Sequence, residues 1–260
     1  MRKTHIEINK HKPAAQKLLH AAEQILRDHG YKLVKRPDFV IVIGGDGTML
    51  HAAQYYAKRG IPILGINAGG LGFLTDVTLA QLPMILEQIK RKQYTIEPRM
   101  MVQATANRKT LLALNDMTIV TRIPGRAVEL SAAINKEHLY RFLADGIIIA
   151  TPTGSTAYSL ATGGPILIPS TEGLIITPVA PHTLSVRPMV LPSDSTIKIT
   201  VGGKGKAILV ADGQYSHILQ KDKPVVFKRS RHQVYLVKPR TISFIKTLRE
   251  KMKWGGREDA

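Results

Sequence analysis

The sequence predicts an α/β N-terminal domain with an open parallel sheet, followed by a β-rich C-terminal domain. Two continuous apolar runs, 39–43 and 61–66, are each followed by a segment with helical spacing, which is typical of parallel strands buried on both faces. After Pro98 the chain changes to short β-like runs separated by Gly, Pro, Ser and Thr, which indicates an antiparallel domain. The expected bounds are 1–98 for the α/β domain, 99–238 for the β-rich domain and 239–260 for a tail that packs back on the first domain.

The helices and strands of the first domain follow from hydrophobic spacing. Residues 13–29 carry Ala, Leu and Ile at helical spacing before Gly30, a residue type that commonly ends a helix. The run 39–43 is rich in β-branched residues and predicts a strand. A helix over 48–58 closed by Gly60, a strand over 61–66 and a helix over about 79–92 complete the predicted alternation of strand and helix.

The second domain is predicted to consist of short strands. The tail over 241–254 is weakly helical or extended. The β-like runs are Leu111–Leu114, Met117–Val120, Val128–Ile134, Gly146–Ala150, Leu174–Pro178, Thr196–Val201, Ala207–Val210 and Val225–Phe227.

Composition restricts the class of protein. The chain has 260 residues, of which 44% are hydrophobic, so a folded globular protein is expected rather than a disordered one. Cysteine is absent, which excludes disulfides and thiolate metal sites. No apolar run reaches the roughly 18 residues that a membrane span needs. We therefore expect a cytoplasmic protein without a membrane partner.

The formal net charge of +18 is concentrated at the two ends of the chain: residues 1–36 contribute +6 and residues 221–260 contribute +8. We interpret this excess as a solvated, soluble surface. The alternative is a field that attracts polyanions such as nucleotides or nucleic acid. Aromatic residues make up only 5% of the chain, which gives no support to base recognition by stacking, and no nucleic-acid partner is expected.

An Asp-Gly pair follows an apolar run three times, at Asp46, Asp145 and Asp212. Asp-Gly after a strand is usually turn chemistry, because both residues tolerate unusual backbone angles. The first pair differs, since the glycines of Gly44–Thr48 leave backbone N–H groups accessible to phosphate oxygens, and the following helix points its positive end at the same place. A carboxylate inside such an anion cradle is suited to accept a proton from a hydroxyl that attacks a phosphate.

Other chemistries lack their motifs. There is no G-x-x-x-x-G-K-[S/T] loop, no G-x-G-x-x-G after a strand, no H-E-x-x-H and no G-x-S-x-G elbow in the sequence. P-loop enzymes, hydride-transferring Rossmann dehydrogenases, this class of zinc enzymes and α/β-hydrolases are therefore not indicated.

Residues Gly44–Thr48 resemble the NAD kinase family, which shares this motif with lipid kinases. Residues Asp145–Ser159, with the Gly163-Gly164-Pro165 run that follows, resemble the long signature of the same family almost residue for residue. Further similar blocks are Leu114-Asn115-Asp116, Pro181-His182-Thr183-Leu184, Arg187-Pro188 and Asp212-Gly213-Gln214. The resemblance extends from about Asp38 to the tail.

This resemblance implies transfer of the γ-phosphoryl group of ATP to the 2′-hydroxyl of the adenosine ribose of NAD, which gives NADP. It implies that Asp46 is the catalytic proton acceptor, and that Mg²⁺ or another divalent cation arrives with ATP without a dedicated protein metal site. It also implies a homodimer or homotetramer. The implied phosphate-loop residues are Gly44, Gly45, Gly47 and Thr48, and the implied NAD-binding residues are Asp46, Gly47, Asn115, Asp116, Arg126, Asp145, Thr156, Ala157, Tyr158, Ser159, Leu160, Ala161 and Gln214.

Several alternatives stay open at this stage. The family usually has Glu where this chain has Asp116, so the carboxylate reaches about 1.5 Å less far. Tyr158 is also explained as a packing residue, and Thr153, Ser155 and Thr156 as helix caps. Two rival functions are a lipid or diacylglycerol kinase, which would share the Gly44–Thr48 loop, and a non-catalytic protein that binds NAD or nucleic acid.

Overall fold

The computed structural model of the chain describes residues 2–9, 13–69, 72–75, 77–123, 125–203, 205–239 and 243–254. These residues form two compact units. The first unit comprises Met1–Pro98 and Val234–Ala260, and the second comprises Arg99–Gln233. A mostly parallel sheet with helices forms the first unit and antiparallel strands form most of the second, so the predicted fold class is confirmed.

The helices and strands before the second unit alternate as the sequence predicts. They are β1 (Lys3–Ile8), α1 (Pro13–Asp28), β2 (Lys32–Leu33), β3 (Phe39–Gly44), α2 (Asp46–Tyr56), β4 (Ile63–Asn67), β5 (Val77–Thr78) and α3 (Leu82–Lys90).

The rest of the chain is mainly strand. Its elements are β6 (Tyr94–Ala106), β7 (Lys109–Ala113), β8 (Asp116–Thr121), β9 (Val128–Ile134), β10 (Glu137–Ala144), β11 (Gly146–Ala150), α4 (Tyr158–Ala161), β12 (Gly173–Val179), β13 (Met189–Pro192), β14 (Ile197–Gly202), β15 (Ala207–Ala211), β16 (Tyr215–Ile218), β17 (Pro224–Pro239) and α5 (Phe244–Met252).

The sheet of the first unit is parallel where its main strands meet. Its strand order is β2-β1-β3-β4, with β5 beside β4. Every residue of β3 is buried, as a continuous apolar run on a doubly covered strand requires. The end of β17 returns to this unit, where Leu236 pairs with Ile63 and Val237 joins the core cluster that contains Phe39.

The second unit is built mainly from antiparallel strands. A six-stranded sheet has the order β13-β12-β11-β8-β15-β16, and β10, β9, β14 and the first part of β17 pair with one another in that order. Strand β14 buries every second residue, which gives the two-residue period of a half-buried strand. The central strand β11 is buried throughout.

Some elements differ from the sequence predictions. Strand β1 is not predicted, because it is polar: Thr4 is buried and its hydroxyl donates to the carbonyl of Phe39 at 3.0 Å. Helix α2 begins at Asp46 rather than at 48, since Gly45 has the extended backbone of an N-cap and an acidic residue is favourable in the first turn. Strands β6 and β10 are also absent from the predictions. None of the described helices is both long enough and apolar enough to cross a membrane.

Candidate active site

The glycine-rich loop joins the carboxyl end of β3 to the first turn of α2. The N–H groups of Thr48 and Met49 both donate to the carbonyl of Gly45, at 3.0 and 3.2 Å. A Cβ atom on Gly44 would lie 2.3 Å from the hydroxyl oxygen of Thr48. Gly44 is therefore required by the packing of the loop on its own helix.

Gly45 and Gly47 are glycines for a different reason. A Cβ atom on either residue would meet no atom within 4 Å, and neither residue has a positive φ. Neither local packing nor backbone conformation therefore explains why a side chain is missing at these two positions. A ligand that approaches the backbone closely would explain it, because a phosphate reaches N–H groups best where no side chain intervenes.

The carboxylate of Asp46 is held in place by backbone groups. Oδ2 accepts the N–H of Phe73 at 2.9 Å, and Oδ1 accepts the N–H of Leu74 at 3.0 Å. About 32% of the Asp46 side chain is exposed. A carboxylate oxygen accepts more than one hydrogen bond, so the group is oriented by the 72–75 segment and still has acceptor sites for a ligand hydroxyl. A Cβ atom on Gly72 would lie 2.2 Å from Oδ1 of Asp46, which makes Gly72 part of this support.

Lys251 of helix α5 lies beside the same carboxylate. Its Nζ is 4.0 Å from Oδ2 of Asp46 and 4.3 Å from the centroid of the Phe73 ring. The Phe73 ring in turn packs against Phe244, the first residue of α5, with centroids 6.2 Å apart. Sequence reasoning does not find Lys251, since 205 positions separate it from Asp46 and no motif surrounds it.

In the second unit, Asp212 organises the segment that contains Asn115 and Asp116. Its carboxylate accepts the N–H groups of Leu114, Asn115 and Asp116 at 2.9, 2.7 and 3.2 Å. Asp212 and Gly213 have φ values of 51° and 67°, and the N–H of Gln214 donates to the carbonyl of Ala211 at 2.9 Å. This is the Asp-Gly hairpin turn that such a pair usually forms, so the turn interpretation is confirmed for this pair. The carboxylate also fixes a loop about a hundred residues earlier in the chain.

Asp116 is a buried carboxyl group, with 6% of the residue exposed. Burial, and secondly the charge of Asp212, raise the pKa of Asp116 to about 6. The hydroxyl of Thr118, which donates to Oδ1 of Asp116 at 3.2 Å, acts in the opposite direction. The Asp116 carboxyl group therefore changes its protonation state near pH 6, and around that pH it can either donate or accept a hydrogen bond.

The segment from Thr151 to Ser159 packs on the same loop. The N–H of Thr151 donates to the carbonyl of Asn115 at 2.8 Å, and the Thr151 hydroxyl donates to the carbonyl of Leu114 at 2.5 Å. A Cβ atom on Gly154 would lie 2.0 Å from the carbonyl oxygen of Asn115. The long signature and the Asn115 block therefore form one local assembly within the second unit.

The predicted NAD-binding residues of the second unit differ in accessibility. Tyr158 is 45% exposed, which leaves part of its ring available for contacts, whereas Ser159 is fully buried and its hydroxyl lies 2.9 Å from that of Thr177. No side chain caps α4 by a hydrogen bond, so the capping explanation for this segment is wrong. The Ser155 hydroxyl instead donates to the carbonyl of Pro152 at 2.7 Å and accepts the N–H of Leu167 at 3.0 Å. The half-buried predicted residues are Thr156, Ala157 and Leu160, and the exposed ones are Arg126, Asp145, Ala161 and Gln214.

A cleft of about 800 Å³ lies elsewhere in the first unit. It is lined by residues of β1, α2 and the segments before β3 and β4, including His51, and by none of the predicted site residues. Concavity alone therefore does not locate the candidate site. No group of three or more His, Asp or Glu side chains that could hold a metal ion occurs in the described part of the chain.

Comparison with known protein families decides between the kinase and its rivals. Residues 2–94 match the ATP-NAD kinase N-terminal domain, and residues 114–239 match the ATP-NAD kinase C-terminal domain. The chain belongs to the NAD kinase family. It is thus a kinase, and the resemblance seen in its motifs is confirmed.

Relatives within this family are similar over most of their length. An NAD kinase of Koribacter versatilis is 38% identical over 95% of this chain and 96% of its own length. An NAD kinase of Bacteroides fragilis is 43% identical over 84% of this chain and 77% of its own. These identities connect the chain to NAD kinases rather than to lipid kinases.

Solved structures show the same fold. A structure of an NAD kinase from Archaeoglobus fulgidus in complex with ATP superposes with a TM-score of 0.81 at 27% identity, covering 97% of this chain and 99% of that one. A structure of yeast NADH kinase complexed with NADH superposes with a TM-score of 0.87, covering 98% of this chain and 88% of that one. Because the identity is only 22%, the similarity to the yeast enzyme supports the fold of this NAD kinase family member and nothing beyond the fold.

Proposed function

We propose that this chain transfers the γ-phosphoryl group of ATP to the 2′-hydroxyl of the adenosine ribose of NAD, with Asp46 as the proton acceptor. In this reaction a bond forms between the ribose oxygen and the γ-phosphorus, and the bond from that phosphorus to the bridging oxygen of ADP breaks. The hydroxyl proton passes to Asp46. Phosphoryl transfer depends mainly on positioning and on charge neutralisation.

The observation that carries the proposal is the position of the Asp46 carboxylate. It stands in the first turn of α2, beside two glycines whose missing side chains the surrounding protein does not explain. The N–H groups of Phe73 and Leu74 fix its orientation, and a third of the side chain remains exposed. A fixed, accessible acceptor beside backbone that carries no side chains at Gly45 and Gly47 is suited to remove a proton next to a phosphate.

The second unit supplies groups that suit the sugar and ring edges of NAD. Asn115 and Asp116 are held by the Asp212 carboxylate, and Tyr158, which is partly exposed, has an aromatic ring suited to stacking. The remaining contacts that we propose are Gly47, Arg126, Asp145, Thr156–Ala161 and Gln214. The shorter Asp116 still reaches a ligand group if one water bridges the gap.

We infer that the divalent cation is held chiefly by phosphate oxygens of ATP. A cation of this kind normally keeps several waters and binds through one or two carboxylates together with substrate phosphates. Bound there, it would neutralise charge on the transferring group. The relative from Archaeoglobus fulgidus, whose structure contains ATP, supports ATP as the donor. We also propose that the chain is a homodimer or homotetramer, which light scattering on the purified protein tests.

The experiment that tests the proposal is NADP formation from ATP, Mg²⁺ and NAD, measured with an NADP-specific dehydrogenase, with phosphorus NMR to place the new phosphate at the 2′ position. Replacing Asp46 with Asn is expected to lower kcat by about 10² to 10⁴, the usual effect of losing a general base. The proposal fails if wild-type protein forms no NADP, or if the Asn variant has normal turnover.

Asp38 offers a matched control for this substitution. Its carboxylate also accepts two backbone N–H groups, from Arg2 and Lys3 at 2.8 and 3.1 Å, and it belongs to none of the predicted site residues. Asp38→Asn therefore changes a carboxylate with equivalent partners in the same unit and should leave kcat unchanged. An equal loss in both variants would assign the effect to structure rather than to proton transfer.

A further inference from the structure

We propose that Lys251 binds the γ-phosphate of ATP and neutralises charge on it during transfer, so that the C-terminal helix α5 completes the site; this rests on the proposed function. The Nζ of Lys251 lies 4.0 Å from Oδ2 of Asp46. The first unit thus presents both a proton acceptor, Asp46, and a cation, Lys251, at the position where a phosphate would be attacked.

Lys251 is held more firmly than an ordinary surface lysine. Only 26% of its side chain is exposed, and its ammonium group lies over the face of Phe73, where the ring quadrupole attracts a cation. Helix α5 is anchored by Phe244 against the same ring and by the buried residues Thr247 and Leu248. The packing therefore directs one particular basic residue of this helix to Asp46.

The other lysine of this helix shows the contrast. Lys246 is 74% exposed on its side chain and lies 4.0 Å from Glu250 on the same helix. It has the ordinary arrangement of a solvated helix surface, in which an i,i+4 ion pair contributes little. Lys246 and Lys251 therefore differ in position rather than in chemistry, and this makes them a matched pair for an experiment.

Proximity to Asp46 places the Lys251 ammonium near the transferring group. The hydroxyl that gives its proton to Asp46 is bonded in the transition state to the γ-phosphorus, so the phosphate oxygens lie within a few ångströms of the carboxylate. The Nζ of Lys251 already lies beside this carboxylate, so a small rotation about its side-chain bonds brings the ammonium to those oxygens. When ATP is absent, the same ammonium partly neutralises Asp46.

The test compares Lys251→Met with Lys251→Arg and with the control Lys246→Met, using steady-state kinetics in both substrates. We expect Lys251→Met to lower kcat/KM for ATP by about 10²-fold, the usual effect of removing one charge-stabilising donor, and to leave KM for NAD within about twofold of wild type. Lys251→Arg should recover at least part of the loss, and Lys246→Met should behave as wild type. The melting temperatures of all variants should agree closely.

Inorganic tripolyphosphate provides a second measurement that does not need turnover of the variants at full rate. It should compete with ATP in the wild-type enzyme, and its inhibition constant should rise about tenfold in Lys251→Met. The inference is overturned if Lys251→Met keeps wild-type ATP kinetics. It is also overturned if the variant loses activity towards both substrates together with a lower melting temperature, because Lys251 would then only anchor the helix. Absence of NADP in the wild-type reaction would instead refute the proposed function.

Discussion

Replacing Asp116 with Asn is expected to stabilise the protein at neutral pH and to have little effect in acid. The ionised Asp116 carboxylate is unfavourable in the folded chain, because it is buried and lies near the charge of Asp212. Its pKa is raised from its usual 3.8 to about 6, and each tenfold change in proton affinity is worth about 1.4 kcal/mol. Ionised Asp116 therefore costs about 3 kcal/mol of folding free energy.

The sign of the pH dependence follows from which state binds the proton more tightly. Between pH 4 and 6 the folded chain keeps the Asp116 proton and the unfolded chain loses it, so the contribution of this group to stability falls as pH rises. Below pH 4 both states are protonated, and above pH 6 the full cost is present. Asn carries no charge and keeps an oxygen that accepts the Thr118 hydroxyl, so the variant lacks this cost.

The assay is urea unfolding of wild type and Asp116→Asn at several pH values from 4 to 8. The difference in unfolding free energy should grow from near zero at the acid end to between about 1 and 3 kcal/mol above pH 6, because groups that do not interact with Asp116 contribute equally in both proteins. A difference that is the same at pH 4 and pH 8 would contradict the raised pKa. A variant that is less stable at every pH would show that the carboxyl hydrogen bonds outweigh the cost of charge.

Substitutions at three further positions test the supports of the site. Asp212→Ala should destabilise the protein by about 3 kcal/mol or more, since three N–H groups lose a charged acceptor. Asp212→Asn should cost less in the same denaturation experiment. If both variants were as stable as wild type, the role of this carboxylate would be refuted. Gly72→Ala should lower kcat about as much as Asp46→Asn with a small change in melting temperature, because the added Cβ displaces the Asp46 carboxylate; unchanged turnover would show that the loop adjusts. Gly154→Ala should cost about 1–3 kcal/mol in stability, since its Cβ would meet backbone of Asn115 that cannot rotate away; a neutral result would mean that this contact is loose.

The parts of the fold that the sequence predicts are those with a strong local pattern. Strands β3 and β4 follow from continuous apolar runs, and both are buried almost throughout. Strand β1 lacks such a run: His5 and Glu7 alternate with Ile6 and Ile8, a pattern too short to separate from a polar coil. Strand β6 passes through Pro98, a residue that suggests a break but is tolerated where a strand needs no hydrogen bond from that position.

The candidate site likewise has parts that a local sequence pattern predicts and parts that it does not. The glycine loop and Asp46 are visible in the sequence because their chemistry is contained in five consecutive residues. The partners of this carboxylate, Phe73 and Leu74, lie 27 and 28 positions away, and those of Asp212 lie 96 to 98 positions away. Asp212 does have a signal in the Asp-Gly pair, although that pair indicates only the turn. Contacts of this kind depend on how the chain folds back, which no local pattern encodes.

The first unit is discontinuous in the chain, since it includes Val234–Ala260 as well as Met1–Pro98. During synthesis on a ribosome its opening segment emerges first, and the strand residue Leu236, which pairs with Ile63, emerges only after the intervening 135 residues of the second unit. Until then Ile63 of β4 lacks its partner on β17, and unpaired strand edges promote aggregation. A fragment that ends at Pro98 should consequently be poorly soluble when expressed alone, although it contains the whole glycine motif.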